Sequence, residues 1–354
     1  MGLSEIGWDA FQKLGPEGKA PHLFEDGRLF HVLVAQQFDR AALDALGALA
    51  TKIRFIAKNK AGMTFLQGLL DHTRAMLYFT QPSTRTFLSF CAACEILGIK
   101  MGEVRDTSTS SEFKGESRED SVRTFSSYFD LIIMRSHVGG LAERMAWVLS
   151  NSERPVPIIN AGSGRDQHPT QALLDIYTLQ RSFEKLGGID GKTVVFVGDL
   201  ARGRTVRSLS ILLTRYAGVK QCFVAPEPLQ IGGEILAMLD EAGCDYEVGA
   251  ELKPMIPKAD AIYMTRVQDE WDAEKGESAR MDFSAYAFGV EDLKRLPPHA
   301  ILMHPLPRRE EIPPEVDSDP RAMYWRQMRN GMWIRTALIA TVFGCDEEIR
   351  KYRD

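Results

Sequence analysis

Short runs of apolar, often β-branched residues recur along this chain. Each is followed by a glycine-rich or polar turn and then by apolar residues at helical spacing. AMLYF (75–79), LIIM (131–134) and VPIINAG (156–162) form one series. TVVFVGD (193–199), QCFVAP (221–226), DYEVG (245–249), DAIYMT (260–265) and AILMHP (300–305) form a second. Unbroken apolar runs of strand length suit parallel sheets buried on both faces, because alternation is needed only where one face meets water. Strands interleaved with helices are the pattern of α/β sheets. The expected fold is therefore α/β: two doubly wound parallel-sheet domains, with the active site in the cleft between them at the C-terminal ends of strands.

At 354 residues the chain has room for two such cores. Residues 1–28, polar and punctuated by glycine and proline, read as an N-terminal extension. The first domain is expected over 29–183 and the second over 184–321, joined near EKLGGIDGK (184–192). The C-terminal stretch, 322–354, carries a helix expected to pack back on the first domain. Residues 39–57 read as a helix with Asp39 as its cap.

Composition excludes several classes. A net charge of −5 with no basic stripe argues against a nucleic-acid partner, so anionic substrates must be captured by local arginines. No apolar stretch approaches the ~20 residues needed to span a bilayer, and the first residues lack a secretory core. Five cysteines fit a reducing compartment, read as the cytoplasm. Cys91 and Cys94 form a lone CxxC inside LSFCAACEIL, better read as buried thiols on a helix than as a redox or zinc pair.

Candidate chemistry falls at strand ends. Ser83-Thr84-Arg85-Thr86 follows a strand and opens a helix, where free N–H groups, hydroxyls and a guanidinium suit a phosphate. An N-cap with a surface arginine would look the same. Arg135 ends LIIMR, and His168 follows another strand and its glycine turn, on the same sheet edge. GDLARGRT (198–205) nearly matches a phosphate loop, but Arg204 replaces the lysine and no acidic partner strand is evident. Arg204 and Arg266 could instead each hold a carboxylate.

These motifs together resemble the aspartate/ornithine carbamoyltransferase family, its aspartate branch in particular. The resemblance runs from about Leu29 to about Phe343. It rests on STRT (83–86), TSTSSEFKGES (107–117), MR (134–135), NAGSGRDQHPTQALLD (160–175), VGDLARGRTVRSL (197–209), YMTRVQ (263–268), HPLPR (304–308) and NGMWIRTAL (330–338). It implies that carbamoyl phosphate and L-aspartate are the substrates. Ser83, Thr84, Arg85, Thr86 and Arg135 would hold the phosphate, and Thr86, Arg135 and His168 would polarise the carbamoyl oxygen. Gln171 and the carbonyl of Pro305 would hold the carbamoyl nitrogen. Arg204, Arg266 and Gln268 would take the aspartate carboxylates, with Leu306 touching both substrates. Ser110 and Lys114 would reach a neighbouring subunit's site, Lys114 meeting both substrates; without the resemblance, SSEFKGESRED (110–120) reads as a solvated loop.

The resemblance also implies a homotrimer with shared sites, no metal or organic cofactor, and room for a regulatory chain or dihydroorotase partner. Arg266-Val267-Gln268, and His304-Pro305 where the ornithine branch reads HC, favour a dicarboxylate acceptor over a cationic one. Two matched departures stand out. Gln81 and Trp271 replace the ends of an ionic link that closes the two domains in the family. Phe87 and Cys91 replace a helical ion pair. Closure by hydrogen bonding and aromatic packing is expected in their place. The competing readings are a carbamoyltransferase for another small acid and a non-catalytic paralogue.

Overall fold

The computed structural model describes residues 2–105, 115–164, 167–249, 251–269 and 282–353. The chain forms two compact units, Met1–Leu174 with Gly331–Asp354, and Asp175–Asn330.

In the first unit, helix α1 (Arg40–Ile56) starts at Asp39, whose side chain accepts from the Ala42 N–H at 2.8 Å. Then come β1 (Arg74–Phe79), α2 (Thr84–Ile96), β2 (Lys100–Val104), α3 (Arg118–Tyr128), β3 (Leu131–Ser136), α4 (Leu141–Ser150), β4 (Ile158–Ser163) and the start of α5 (Pro169–Phe183). The strands form one parallel sheet in the order β2-β1-β3-β4. Every residue of β3 and β4 is buried, which is why both open on apolar runs without alternation, Leu131–Met134 and Ile158-Ile159. Strand β2, KMGEV, is half-exposed at the sheet edge and gave no such signal. Within 110–120 the described part also departs from a plain loop, because Ser117 caps α3 by accepting from the Asp120 N–H at 3.1 Å.

The N-terminal segment is part of this core. Leu3, Phe11 and Leu23 are buried in one cluster with Tyr78, Ile132, Met134, Leu141, Met145 and Leu149. Trp147 of α4 donates its ring N–H to the Ile6 carbonyl at 2.8 Å, and Lys19 pairs with Glu143 at 2.5 Å. The Arg144 guanidinium lies over both Trp8 and Trp147. A two-stranded hairpin, Phe24–Glu25 with Arg28–Leu29, ends the segment.

The second unit carries β5 (Thr193–Val197), α6 (Arg204–Leu213), β6 (Lys220–Val224), α7 (Gly233–Glu241), β7 (Asp245–Val248), β8 (Ala261–Met264), β9 (Ile301–Met303) and the start of α8 (Tyr324–Val342). From Gly331 onward the residues of α8 group with the first unit, where Arg335 donates to the Ser89 hydroxyl at 2.7 Å. The sheet is parallel, in the order β9-β8-β5-β6-β7. Val195, Val197, Val224, Ile262, Met264, Leu302 and Tyr324 fill one face of it.

Both sheets are doubly wound, so each has a point where strand order reverses. In the first unit it lies between β1 and β3, and in the second between β5 and β8. The loops after those strands diverge there and leave a crevice for ligands.

Candidate functional site

The first switch point gathers the residues read as the phosphate set. After Phe79 the chain passes through Thr80–Pro82, and Ser83 takes the extended N-cap position of α2 without a side-chain cap. Thr84–Thr86 thus form the first turn, whose N–H groups have no acceptor within the helix and lie at its positive dipole end. Thr86 is buried, Arg85 and Ser83 are half-buried and Thr84 is exposed. The loop is tied to the end of β3, because the Thr80 N–H donates to the Arg135 carbonyl at 2.9 Å and its hydroxyl reaches the same oxygen at 3.3 Å.

Arg135 is 9% exposed, and its Nη1 donates to the Ala161 carbonyl at 3.0 Å. Gly162 sits beside it at φ +122. A Cβ there would lie 2.6 Å from Arg135 Nη1 and 3.4 Å from His168 Cδ2. The missing side chain therefore leaves room for the guanidinium, while the imidazole lies at ordinary contact distance from the same point. His168 is buried, with the Thr170 hydroxyl 3.4 Å from its Nδ1, and Gln171 follows on the first turn of α5. Asn160 holds the turn from beneath, accepting from the Gly162 N–H at 2.8 Å and donating to the Leu33 carbonyl at 3.0 Å. Gln167 braces it from the other side, accepting from the Ala35 N–H at 2.6 Å and donating to Gln36 at 2.8 Å.

Phe87 and Cys91 lie on α2. Phe87 packs edge-on to Phe79, and the Arg105 guanidinium stacks over its ring at 4.4 Å, so an arginine still meets this position through a π-face. Burial pushes the Cys91 and Cys94 thiols up, with Glu103 adding to the effect at Cys91. Protonated thiols on a packed helix are poor nucleophiles and poor metal ligands.

The second switch point gathers the residues read as the carboxylate set. Gly198 leaves β5 at φ +111, where a Cβ would come within 2.3 Å of the Thr265 carbonyl after β8. Asp199, fully buried, accepts from the Arg202 N–H at 3.1 Å and the Gln268 N–H at 3.0 Å. One carboxylate thus fixes both loops. It also places negative charge where a phosphate loop would present only donors, which disfavours a nucleotide there. Arg204 opens α6 behind Gly203, and Arg202 donates to the Gln268 carbonyl at 3.3 Å. Arg266 donates to the Val267 carbonyl at 2.8 Å and lies 3.6 Å from Asp269.

Pro305 and Leu306 follow β9, the next strand of the sheet. Leu306 has φ +54 and the Leu306-Pro307 bond is cis. His304 shapes this turn. It is fully buried, its Nδ1 accepts from the Leu306 N–H at 2.8 Å and its Nε2 lies 2.8 Å from Glu311. A ring nitrogen that accepts a backbone N–H carries no proton, so the proton is on Nε2 and is donated to Glu311. Burial holds this histidine below its ordinary value, against the pull of Glu311. Gln327 accepts from the His304 N–H at 2.9 Å and donates to buried Asp175 at 2.7 Å, which also accepts from Tyr263 of β8 at 2.8 Å. Asp199, His304, Glu311, Gln327 and Asp175 were not singled out from the sequence. The signals on offer were motif contexts alone: GDLARGRT for Asp199, the end of NAGSGRDQHPTQALLD for Asp175 and HPLP for His304.

Ser110, Lys114 and Trp271 lie outside the described residues. Among those described, no group of three or more His, Cys, Asp or Glu side chains could hold a metal ion, and no helix is long and apolar enough to cross a membrane.

Residues 31–181 match the family model of the aspartate/ornithine carbamoyltransferase carbamoyl-P binding domain, and residues 190–342 match that of the aspartate/ornithine carbamoyltransferase Asp/Orn binding domain. The chain belongs to the aspartate/ornithine carbamoyltransferase family. Aspartate carbamoyltransferase 1, chloroplastic, of Pisum sativum is 42% identical over 324 residues, 90% of this chain and 80% of its own length. Multifunctional protein pyr1-3 of Dictyostelium discoideum is 41% identical over 314 residues, which span 89% of this chain and 13% of that one. Among solved structures, aspartate transcarbamoylase from Trypanosoma cruzi in complex with carbamoyl phosphate and aspartate aligns with TM-score 0.79 and 36% identity. The match covers 88% of this chain and 96% of that one. The catalytic subunit of M. jannaschii aspartate transcarbamoylase aligns with TM-score 0.78 and 33% identity, covering 90% of this chain and 99% of that one.

Proposed function

We propose that the chain transfers the carbamoyl group of carbamoyl phosphate to the α-amino group of L-aspartate, giving N-carbamoyl-L-aspartate and phosphate, a step of pyrimidine biosynthesis. The observation that carries the reading is the convergence of Arg135 and His168 on side-chain-free Gly162, at the switch point where α2 presents its first turn. Ser83, Thr84, Arg85, Thr86 and Arg135 hold the phosphate. Thr86, Arg135 and His168 donate to the carbamoyl oxygen, and Gln171 and the Pro305 carbonyl orient the carbamoyl nitrogen. Arg204, Arg266 and Gln268 hold the two aspartate carboxylates, with Leu306 against both substrates.

The neutral amine attacks the carbamoyl carbon, a C–N bond forms and the C=O electron pair moves onto oxygen. That oxyanion meets donors already in place, usually the largest catalytic contribution. The carbon–oxygen bond to phosphate then breaks, phosphate leaves with the electron pair and the amine gives up one proton to it. Phosphate is a good leaving group, so no side-chain nucleophile is required, and fixing both substrates lowers the entropic barrier. Turnover of carbamoyl phosphate with a panel of amino acids tests the reading. Aspartate should be carbamoylated, and ornithine in its place would overturn the assignment of Arg266 and Gln268.

A homotrimer with shared sites belongs to the same proposal, with Lys114 and Ser110 donated by a neighbour around a closed ring. Lys114→Ala and Arg85→Ala chains, each inactive alone, should then regain activity when mixed. The Dictyostelium relative, in which the matched stretch is a small part of a longer chain, makes a dihydroorotase the natural further partner to seek, with a regulatory chain as the other. We place the protein in the cytoplasm on its five unpaired cysteines. The pea relative is named chloroplastic, and cell fractionation separates the two locations.

A further inference from the structure

Arg309 lies one residue past the HPLPR motif. Its two terminal nitrogens each meet one oxygen of Asp269 at 3.0 Å, the parallel fork of a bidentate guanidinium–carboxylate pair. The Asp269 oxygen that faces Arg309 Nη2 also lies 3.6 Å from Arg266 Nη1. One carboxylate therefore sits within reach of two guanidinia. Arg266 and Asp269 come from the loop after β8, and Arg309 comes from the loop after its neighbour β9, on the edge that carries Gln268 and Leu306. The Asp269 and Arg309 side chains are about half-exposed, 48% and 54%, whereas Arg266 is 17% exposed. A half-exposed pair is strongly screened and weakly held, so Asp269 is a displaceable occupant of a position shaped for a carboxylate.

We infer that Arg309 is a further acceptor-binding residue, and that a carboxylate of aspartate takes the place between Arg266 and Arg309 that Asp269 fills. Asp269 is then an internal competitor, and Arg309 adds to the preference for a dicarboxylate. The inference rests on the reading of Arg266 as an acceptor ligand. The plain alternative is a surface ion pair that braces two loops.

The two are separated at saturating carbamoyl phosphate by the aspartate KM and by the inhibition constant of succinate, a dicarboxylate without the attacking amine. Asp269→Asn should lower both, by up to about fivefold, the scale of a half-exposed pair. Arg309→Gln should raise both by about tenfold, and Arg309→Lys, which keeps the charge but not the fork, should fall between. An Asp269→Asn chain that binds succinate more weakly would show a lost brace and overturn the inference. So would an Arg309→Gln chain with unchanged succinate binding while Arg266→Gln still weakens it. If Arg266→Gln itself changes neither constant, the acceptor assignment falls, and this inference with it.

Discussion

The two switch points differ in how they hold their arginines. In the first unit, Arg135 is buried against a backbone carbonyl, beside a buried histidine and a helix start. In the second, Arg266 and Arg309 remain partly exposed around the half-exposed carboxylate of Asp269. A buried charge with fixed partners costs desolvation but needs no reorganisation when its ligand arrives. A half-exposed one costs little and adapts. The comparison assigns rigid preorganisation to the unit where charge develops during the reaction, and exchangeable contacts to the unit that selects the acceptor.

The largest effect expected from this contrast is at Arg135. Arg135→Gln should lower kcat by about 10²–10³, the scale for removing one donor to a developing oxyanion, with little change in aspartate KM. A mutant that altered only KM would make the first unit no more catalytic than the second. Gly162→Ala comes next. Its Cβ would have to displace the Arg135 guanidinium and would force alanine into φ +122. Steady-state kinetics should show kcat down about tenfold to a hundredfold, since misplacing a catalytic group by about 1 Å can cost that much. Wild-type rates in Gly162→Ala would show that this approach is not needed.

The smallest effect concerns one buried histidine from each unit, His31 and His304. His31 bonds only neutral groups, Ser150 and the Ile158 N–H, and burial lowers it from 6.5 to about 3. His304 has Glu311 to oppose its burial. Between pH 6.5 and about 3 the unfolded chain binds a proton at residue 31 that the native chain refuses, so stability is full above 6.5 and falls as pH drops through that window. His31 alone should remove about 2 kcal/mol between pH 7 and pH 5. Urea unfolding at the two pH values should show a shallower pH slope in His31→Gln than in the wild type. Equal slopes would mean that His31 titrates in the native protein as it does in the unfolded chain.

The legible parts of the sequence are those whose cause is local. LIIMR and TVVFV read as strands because covering both faces demands an unbroken apolar run, and Arg135 and His168 were visible as polar residues just past such runs. Strand β2 was not, because its edge position lets Lys100 and Glu103 face solvent. The packing of the N-terminal segment was not legible for a related reason, since Leu3, Phe11 and Leu23 are too far apart in short turns to show a period. The supporting polar residues were illegible for a deeper one. Asp175 in sequence resembles any surface aspartate, and its partners Tyr263 and Gln327 lie 88 and 152 residues away. A buried carboxylate announces itself only when the chain has brought its donors round. Asp199 and the His304–Glu311 pair share that character.

The tip of the N-terminal hairpin, Asp26-Gly27, has positive φ at both residues, the mirror-image two-residue turn that Asp-Gly favours, and it stands exposed. Everything that ties residues 2–25 to the rest is a side-chain or hydrogen-bonded contact beyond that tip. The peptide link across it carries none of the packing of Phe11 and Leu23. A chain nicked between Asp26 and Gly27 would therefore behave as a two-piece protein, whose short piece can be removed by dilution, added back as a peptide or labelled separately.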